Sequence, residues 1–410
     1  MHHYRAQYLL AFGALGAIVP FQPMLLHDIG VSDRALGLLL ATPGIAALIS
    51  PVVLAYIADK HLSSRKLLIG GFSIGALALG LLFSERSISL VVVLTLLLNL
   101  VLTALLPLLD VLTLHALRQN TASSPTPAQF PLIRRWGSIG FIAPSIIFAL
   151  DAEVLGHPAE AVYLIGGAFA LGAAGLAFSL PDLPPEARAA NSIPTAIAVR
   201  TLSRAPLGAL MGGVVTASIG LSMFYLLMPR LLQTLGLSVS SAGLIVTLGV
   251  AGEIVLFSLA PRLFADLTLK TVIIIGLGAT ALRFALLALL PSVATAIITQ
   301  ILHGPMVYIF AVALPLLLTR EASPETRNSL LGVASSLYNG FARVIGPPLA
   351  GALVTLAPGG ELHGLSWGLW GAVIFCLTGV VILGFYFHED AHSVVGPTAA
   401  SNKIPPNGQG

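Results

Sequence analysis

Twelve long runs of apolar residues divide this chain of 410 residues, and each run is at least about 18 residues long. An apolar run of that length spans a bilayer as an α-helix, whereas the strands of a membrane barrel alternate polar and apolar residues over about ten positions. Hydrophobic residues make up 56% of the chain and charged residues 9%, which excludes a soluble globular domain. We therefore predict an all-α integral membrane protein with twelve transmembrane helices, at residues 6–27, 35–57, 66–84, 88–117, 134–151, 159–180, 205–229, 240–264, 271–290, 293–319, 328–356 and 365–388.

The basic residues are unevenly divided between the two sides of this predicted bundle. Of the twenty Lys and Arg residues, fifteen lie on the side that holds both chain ends, three lie on the other side and two lie within apolar runs. This positive-inside bias predicts that both termini are cytoplasmic. The excess of basic residues is thus a topology signal, and we expect no nucleic-acid partner. The three residues on the opposite side are Arg34, Arg86 and Arg230.

The longest polar stretch between apolar runs lies near the middle of the chain, at residues 181–204. Its prolines and arginines suit a cytoplasmic linker. A weak repeat agrees with a division there, because Asp59 and Asp266 follow the second and the eighth run and are 207 residues apart. We predict two pseudo-symmetric halves of six helices each, at 1–180 and 205–388, and a disordered cytoplasmic tail at 389–410.

Five charged or titratable residues lie within or at the edge of stretches that are otherwise apolar enough to cross a bilayer. Each such group costs roughly 2.5–3.5 kcal/mol at the centre of a membrane. We therefore expect these side chains to face one another and a water-filled interior, as in a transport pathway. They are Asp110, Arg134, Glu253, Arg283 and His303.

The loop at 58–66 resembles a signature of one transporter family. It reads Ala-Asp, then five intervening residues, then Arg-Lys. This pattern resembles the cytoplasmic loop of the major facilitator superfamily, although the loop lacks the usual glycines. The resemblance implies that Asp59, Arg65 and Lys66 help to lock the cytoplasmic gate.

Two further runs narrow this resemblance to one branch of the superfamily. The Arg-x-Trp-Gly-Ser-Ile-Gly-Phe run at 134–141 and the Gln-x-Leu-His-Gly run at 300–304 are similar to the proton-coupled lactose, nucleoside and phenylpropionate permeases. They are most similar to the nucleoside and phenylpropionate members. The resemblance covers about residues 6–388 and implies the major facilitator fold, with substrate bound between the two halves.

The resemblance implies a substrate site made by both halves. Asp110 and Arg134 match the carboxylate and the arginine that bind sugar in lactose permease, and Phe141 stands where that protein stacks an aromatic ring on its substrate. Tyr225 and Asn339 are further candidates for the cavity wall. Because Asn339 stands where lactose permease has a lysine, we do not expect a galactoside as substrate.

The same comparison implies a proton-coupling site in the second half. Arg283 and His303 match an arginine and a histidine with the same spacing of twenty residues, and Glu253 lies about one helical turn from the matching acid. Met306 replaces a carboxylate of lactose permease, so the proton site would be Glu253 or Asp110. Movement of Arg283 toward or away from Glu253 would then load and release a proton.

Structural alternatives remain open for these residues. Glu253 and Arg283 would also suit a static salt bridge between helices, and His303 a structural histidine. Arg134 would also suit a position at the membrane edge that only follows the positive-inside rule. Arg343 has no partner by motif; it would favour an anionic substrate, or extend toward an interface.

The sequence as a whole favours a secondary active transporter. We expect proton-coupled import of a small organic solute, a nucleoside or an aromatic acid rather than an oligosaccharide. The alternatives are a proton-driven exporter of drugs or metabolites and a membrane receptor or scaffold without transport. The sequence has no Gly-Lys-Ser/Thr phosphate loop and no paired-histidine zinc motif, so we predict neither an enzyme nor a cofactor. The expected partners are the solute, protons and the bilayer, for a monomer in a bacterial inner membrane.

Overall fold

The computed structural model describes residues 1–49, 62–85, 87–120, 129–182, 194–264, 266–321 and 327–388. These parts of the chain form helices joined by short connections. In the first half the helices are α1 (His2–Gly16), α2 (Gln22–Asp28), α3 (Asp33–Leu40), α4 (42–49), α5 (Ser64–Ser84), α6 (Ile88–Asn120), α7 (Gln129–Val154) and α8 (Ala161–Ala177).

The rest of the described chain contains ten further α-helices, three of which belong to a broken tenth span and two to a broken eleventh span. A 3₁₀ turn (Thr299–Leu302) and a π-helical turn (Ile309–Ala313) interrupt the tenth span, and a second π-helical turn (Ser336–Phe341) interrupts the eleventh. The helices are α9 (Pro194–Leu202), α10 (Leu207–Thr234), α11 (Val239–Leu263), α12 (Leu269–Leu289), α13 (Val293–Ile298), α14 (His303–Tyr308), α15 (Leu314–Glu321), α16 (Arg327–Ser335), α17 (Ala342–Leu356) and α18 (Glu361–Tyr386).

Within the described residues, each predicted span coincides with one of these helices or with a short series of them, so the all-α, twelve-span prediction is confirmed. Residues 50–57 of the second span lie outside the described residues. Within the described ranges, seven helices are long and apolar enough to cross a membrane. The boundaries of the halves stay a prediction. Residues 183–193 of the predicted linker and the tail at 389–410 lie outside the described residues, whereas α9 lies inside the linker and packs on α16.

Corresponding helices of the two halves begin in the same way. Ser32 and Ser238 cap the second and the eighth span, and Ser63 and Thr268 cap the third and the ninth, each by accepting a hydrogen bond from the backbone N–H three residues later. The members of the two pairs are 206 and 205 positions apart. This offset is close to the 207 residues that separate Asp59 from Asp266 in the sequence repeat.

Glycines allow the helices that carry the site to pack backbone against backbone. A Cβ on Gly140 of α7 would lie 2.1 Å from the carbonyl oxygen of Leu9, and one on Gly16 of α1 would lie 2.1 Å from that of Phe141. Helices α10 and α18 approach in the same way through Gly220. Such small-residue contacts replace the hydrophobic driving force that is missing between helices in lipid.

The two halves meet mainly through two pairs of helices. Helix α7 packs on α11, and α3 packs on α17. Helices α2 and α10 end at the same end of the molecule, and α18 begins there. We call this the distal end. His2 and Phe387 lie at the opposite end, which we call the terminal end.

We predict that Gly140→Ala lowers the free energy of unfolding in detergent by about 1–3 kcal/mol, because its Cβ forces α1 and α7 apart. Gly70→Ala is the matched control, since a Cβ there has nothing within 4 Å. The measurement is thermal or denaturant unfolding of the two purified variants beside the parent protein. Equal stability of both variants would contradict the close contact.

Candidate functional site

Three titratable side chains from three helices form a row inside the second half. Arg283 of α12 is only 2% exposed, and its Nη1 lies 3.1 Å from Nδ1 of His303 on α14. On the other side of the imidazole, Nε2 lies 4.0 Å from Oε2 of Glu253 on α11. The structure thus places His303 between the arginine and the acid.

The chemistry of arginine determines the protonation of this histidine. A guanidinium only donates hydrogen bonds, so Nδ1 of His303 accepts from Arg283 and the ring proton must be on Nε2. The N–H of the neutral imidazole therefore points toward Glu253. A second proton on Nδ1 would break the bond to Arg283 and place two cations side by side.

Gln300 and Phe224 complete the surroundings of Arg283. Nη2 of Arg283 donates to Oε1 of Gln300 at 2.6 Å, and its guanidinium carbon lies 4.7 Å from the centroid of the Phe224 ring. Gly249 of α11 leaves room for this arrangement, because a Cβ there would lie 2.5 Å from Oε1 of Gln300. Sequence reasoning did not assign Gln300 to the site, although its position one turn before His303 is a usable signal.

Two buried donors of this cluster lack a hydrogen-bond acceptor among the described residues. They are Nε of Arg283 and Nε2 of Gln300. A buried N–H without an acceptor costs about 1–3 kcal/mol, so both groups are suited to meet an acceptor from a ligand or from water.

Arg134 connects the first half with this cluster. Its guanidinium carbon lies 4.6 Å from the ring centroid of Phe12 and 5.7 Å from that of Tyr8, both on α1. Helix α7, which carries Arg134, packs across the boundary between the halves on α11, which carries Glu253. Asp110 lies on α6, but its side chain is outside the described part of the chain, so its pairing with Arg134 stays a prediction.

A cleft in the second half brings together Tyr225, Asn339 and Arg343. The cleft is small and partly open, and the guanidinium carbon of Arg343 lies 4.8 Å from the centroid of the Tyr225 ring. Phe141 lies on α7 and is not among the residues that line this cleft. The full lining is Ser218, Leu221, Tyr225, Phe310, Tyr338, Asn339 and Arg343.

Neighbouring residues of α10 join the cleft to the titratable row. Phe224 stacks on the guanidinium of Arg283, and Tyr225 stacks on that of Arg343. A movement of α10 therefore displaces both arginines together.

At the terminal end, one of the residues predicted to form a gate pairs with the start of the linker. Arg65 forms a salt bridge with Asp182, with Nη2 and Oδ2 2.8 Å apart. A hydrogen bond from Ser63, together with the charges of Arg65 and Lys66, lowers the pKa of the Asp182 carboxyl below its ordinary value, so the pair is ionised at neutral pH. Asp59 lies outside the described residues, and the gate that these residues were predicted to form stays a prediction.

At the distal end, Arg230 is the centre of a polar network that the sequence did not reveal. This arginine is 1% exposed and donates from Nε to Asp33 at 2.9 Å, and from its terminal nitrogens to Glu361 and Gln233. Gln233 in turn donates to Asp28. The network joins α3 and the end of α2 to α10 and α18, and so ties the two halves together.

The same network contains the three residues of the described chain that come closest to a metal site. Ligand atoms of His27, Asp33 and Glu361 lie within 4.8 Å of one another. However, the guanidinium of Arg230 already binds both carboxylates. The cation of this cluster is therefore an arginine, and we assign no metal to it.

Known proteins resemble the chain along most of its length. A sequence model described as the MFS_1 like family matches residues 1–358. The nucleoside permease NupG of Escherichia coli (strain K12) is 25% identical over 341 residues, which cover 78% of this chain and 80% of that protein. The probable 3-phenylpropionic acid transporter of the same strain is 25% identical over 378 residues, which cover 88% of this chain and 92% of that protein. The crystal structure of a mutant of the nucleoside transporter NupG has the same fold, with a TM-score of 0.81, 20% identity, and coverage of 94% of this chain and 99% of that one.

We predict that Arg230→Leu lowers the free energy of unfolding by about 3–5 kcal/mol, because it leaves Asp33 without the cation that compensates its buried charge. Arg34→Leu is the matched control, since Arg34 is exposed beside the same network. Thermal unfolding of both purified variants measures the difference. A loss as small for Arg230→Leu as for the control would contradict the role of the network.

Proposed function

The chain belongs to the MFS_1 like family, and from this premise we propose that it imports a small organic solute together with a proton by alternating access. Like its relatives, it is a multi-pass membrane transporter and not an enzyme. The names of two relatives, a nucleoside permease and a probable 3-phenylpropionic acid transporter, support a nucleoside or an aromatic acid rather than an oligosaccharide as solute.

The proposed orientation follows from the distribution of Lys and Arg. With fifteen basic residues on the side of the termini and three on the other, the terminal end faces the cytoplasm and the distal end faces outward. We expect a bacterial inner membrane as the location and a monomer as the working unit.

The position of His303 between Arg283 and Glu253 is the observation that carries the proton coupling. Glu253 is the acid of the row, and its carboxylate lies 4.0 Å from Nε2 of the neutral imidazole of His303. When Glu253 binds a proton, its carboxylate no longer attracts the Nε2–H of His303. When a proton enters at Nδ1 of His303, the bond to Arg283 breaks and the Nε2 proton can pass to the Glu253 carboxylate, which leaves the imidazole neutral. Proton transfer is thus linked to the separation of α12 from α14.

The distal network supplies the other half of the proposed cycle. Arg230 links helices of both halves, so the conformation described here is closed at the distal end. The pair of Arg65 and Asp182 joins the third span to the start of the linker and not to the second half, so this pair does not hold the halves together at the terminal end. Outward opening therefore requires that the bonds of Arg230 to its carboxylate partners break and that water or other partners replace them.

Substrate contact is proposed for groups on both sides of the boundary between the halves. Arg134, stacked on the aromatic rings of α1, would act from the first half together with Asp110 and Phe141. Tyr225 and Asn339 would act from the cleft in the second half. A solute held by both sides would be transferred when the halves rock around it.

The test is uptake of labelled uridine, 3-phenylpropionate and lactose into cells that express the protein, with and without a protonophore, against cells that lack it. We predict protonophore-sensitive uptake of uridine or 3-phenylpropionate. In the Glu253→Gln variant, accumulation against a gradient is lost while counterflow exchange continues, because the side chain can no longer take up and release a proton.

Glu153→Gln is the control for this variant, since Glu153 is exposed and lies at the end of α7. Loss of both accumulation and exchange in a folded Glu253→Gln protein would contradict a pure coupling role. A lower cellular content of solute than in cells without the protein would contradict import and indicate an exporter. If the folded protein moves no solute across the membrane, transport itself is contradicted.

A further inference from the structure

The cleft beside Arg343 is built where two π-helical turns face each other. Phe310 belongs to the π-helical turn of the tenth span, and Tyr338 and Asn339 belong to that of the eleventh. The rings of Phe310 and Tyr338 are 5.2 Å apart, so the two turns are in contact. A π-helical turn shifts the side chains that follow it around the helix, and such turns are frequent at functional sites.

The third wall of the cleft is one face of α10. Ser218, Leu221 and Tyr225 follow each other at intervals of three and four residues, the spacing that places side chains on the same side of a helix. All three lie near the middle of α10, and Arg343 lies near the middle of the eleventh span. The cleft is therefore at the depth at which transporters of this build bind substrate.

The charge of the cleft is positive and lacks a counter-ion. Arg343 is half-buried, and within the described residues it has neither a hydrogen bond nor an ion pair; its contact is the face of the Tyr225 ring. Among the described residues that line the cleft there is no carboxylate. An arginine at this depth in a membrane is costly unless an anion approaches it.

A second group in the cleft also lacks a partner. Ser218 is 3% exposed, and its hydroxyl oxygen has no hydrogen-bond partner among the described residues. Buried hydroxyl groups are nearly always hydrogen-bonded. Ser218 and Arg343 together thus present donors to whatever group enters the cleft.

The remaining lining is aromatic, and the space is small. Tyr225, Phe310 and Tyr338 provide three rings, and in the conformation described here the free space between them holds little more than one water molecule. A flat ring with a short polar group would therefore enter between these rings when the tenth and eleventh spans move apart in the proposed transport cycle.

We propose that this cleft is an anion subsite in which Arg343 and Ser218 bind the carboxylate of a small aromatic acid, while the rings of Phe310 and Tyr338 pack on its aromatic part. This inference rests on the proposed import function and specifies its solute as an aromatic monocarboxylate rather than a neutral nucleoside. One such anion that moves with one proton carries no net charge across the membrane.

The experiment is binding of labelled 3-phenylpropionate to the purified full-length protein in lipid nanodiscs, with competition by 3-phenylpropanamide and by uridine. The amide has nearly the same shape as the acid but no charge. We expect it and uridine to compete at least about tenfold more weakly than unlabelled 3-phenylpropionate, because a hydrogen bond to a charged group is lost. This comparison uses the unaltered protein and does not depend on the folding of a variant.

Variants of Arg343 then assign the effect to the cleft. In Arg343→Gln we expect the Kd for 3-phenylpropionate to rise about ten- to hundredfold, with that for 3-phenylpropanamide unchanged. Arg343→Lys keeps the positive charge but lacks the planar guanidinium group, and it should give an intermediate Kd. Arg204→Gln, at an exposed arginine in a loop, is the matched control.

Equal binding of the acid, the amide and uridine overturns the inference. An unchanged Kd for the acid in the folded Arg343→Gln variant also overturns it. So does the absence of any binding of the acid to the folded protein. Proton-driven uptake of uridine that does not depend on Arg343 overturns the subsite but leaves the proposed import intact. Binding of 3-phenylpropionate that depends on Arg343, without protonophore-sensitive uptake, supports the subsite and contradicts import.

Discussion

Charge in an apolar interior is the constraint on which this structure depends, because each ionised side chain at mid-membrane needs compensation. Arg283 has it from the oxygen of Gln300, Nδ1 of a neutral His303 and the face of Phe224. Arg230 has it from carboxylates at the distal end, and Arg134 stacks on two rings of α1. Arg343 has an aromatic face but no anion within the described chain, and this difference makes it the place where a charged solute fits.

Close packing of helix backbones supplies the framework for these arginines. Gly16 and Gly140 bring α1 against α7, so the rings that support Arg134 lie directly opposite it. Gly249 brings α11 against the 3₁₀ turn that holds Gln300. Because α10 supplies Phe224 to one arginine and Tyr225 to another, the proposed proton site and the proposed substrate cleft share a helix. A displacement of that helix affects both sites.

Much of this fold was predictable from the sequence, since an apolar run long enough to cross a bilayer has almost no alternative to a helix. The resemblance to lactose permease, which has the same spacing of twenty residues, implied a shared site for Arg283 and His303, and the two side chains are hydrogen-bonded. The π-helical turns were not predictable, because they depend on packing between spans and leave no pattern in the apolar runs. Arg230 was counted only as a loop charge, since its partners Asp33 and Glu361 are about 200 and 130 positions away in the chain.

The central claim is that solute movement is driven by a proton. The most direct measurement is uptake of labelled 3-phenylpropionate, and in parallel of labelled uridine, into proteoliposomes with an alkaline interior and with the membrane potential held at zero. Protein-free liposomes set the passive level of a weak acid. The account predicts accumulation well above that level for at least one solute, and its loss when the pH gradient is removed. Uptake of both solutes at the level of protein-free liposomes, or uptake that is indifferent to the gradient, would contradict it.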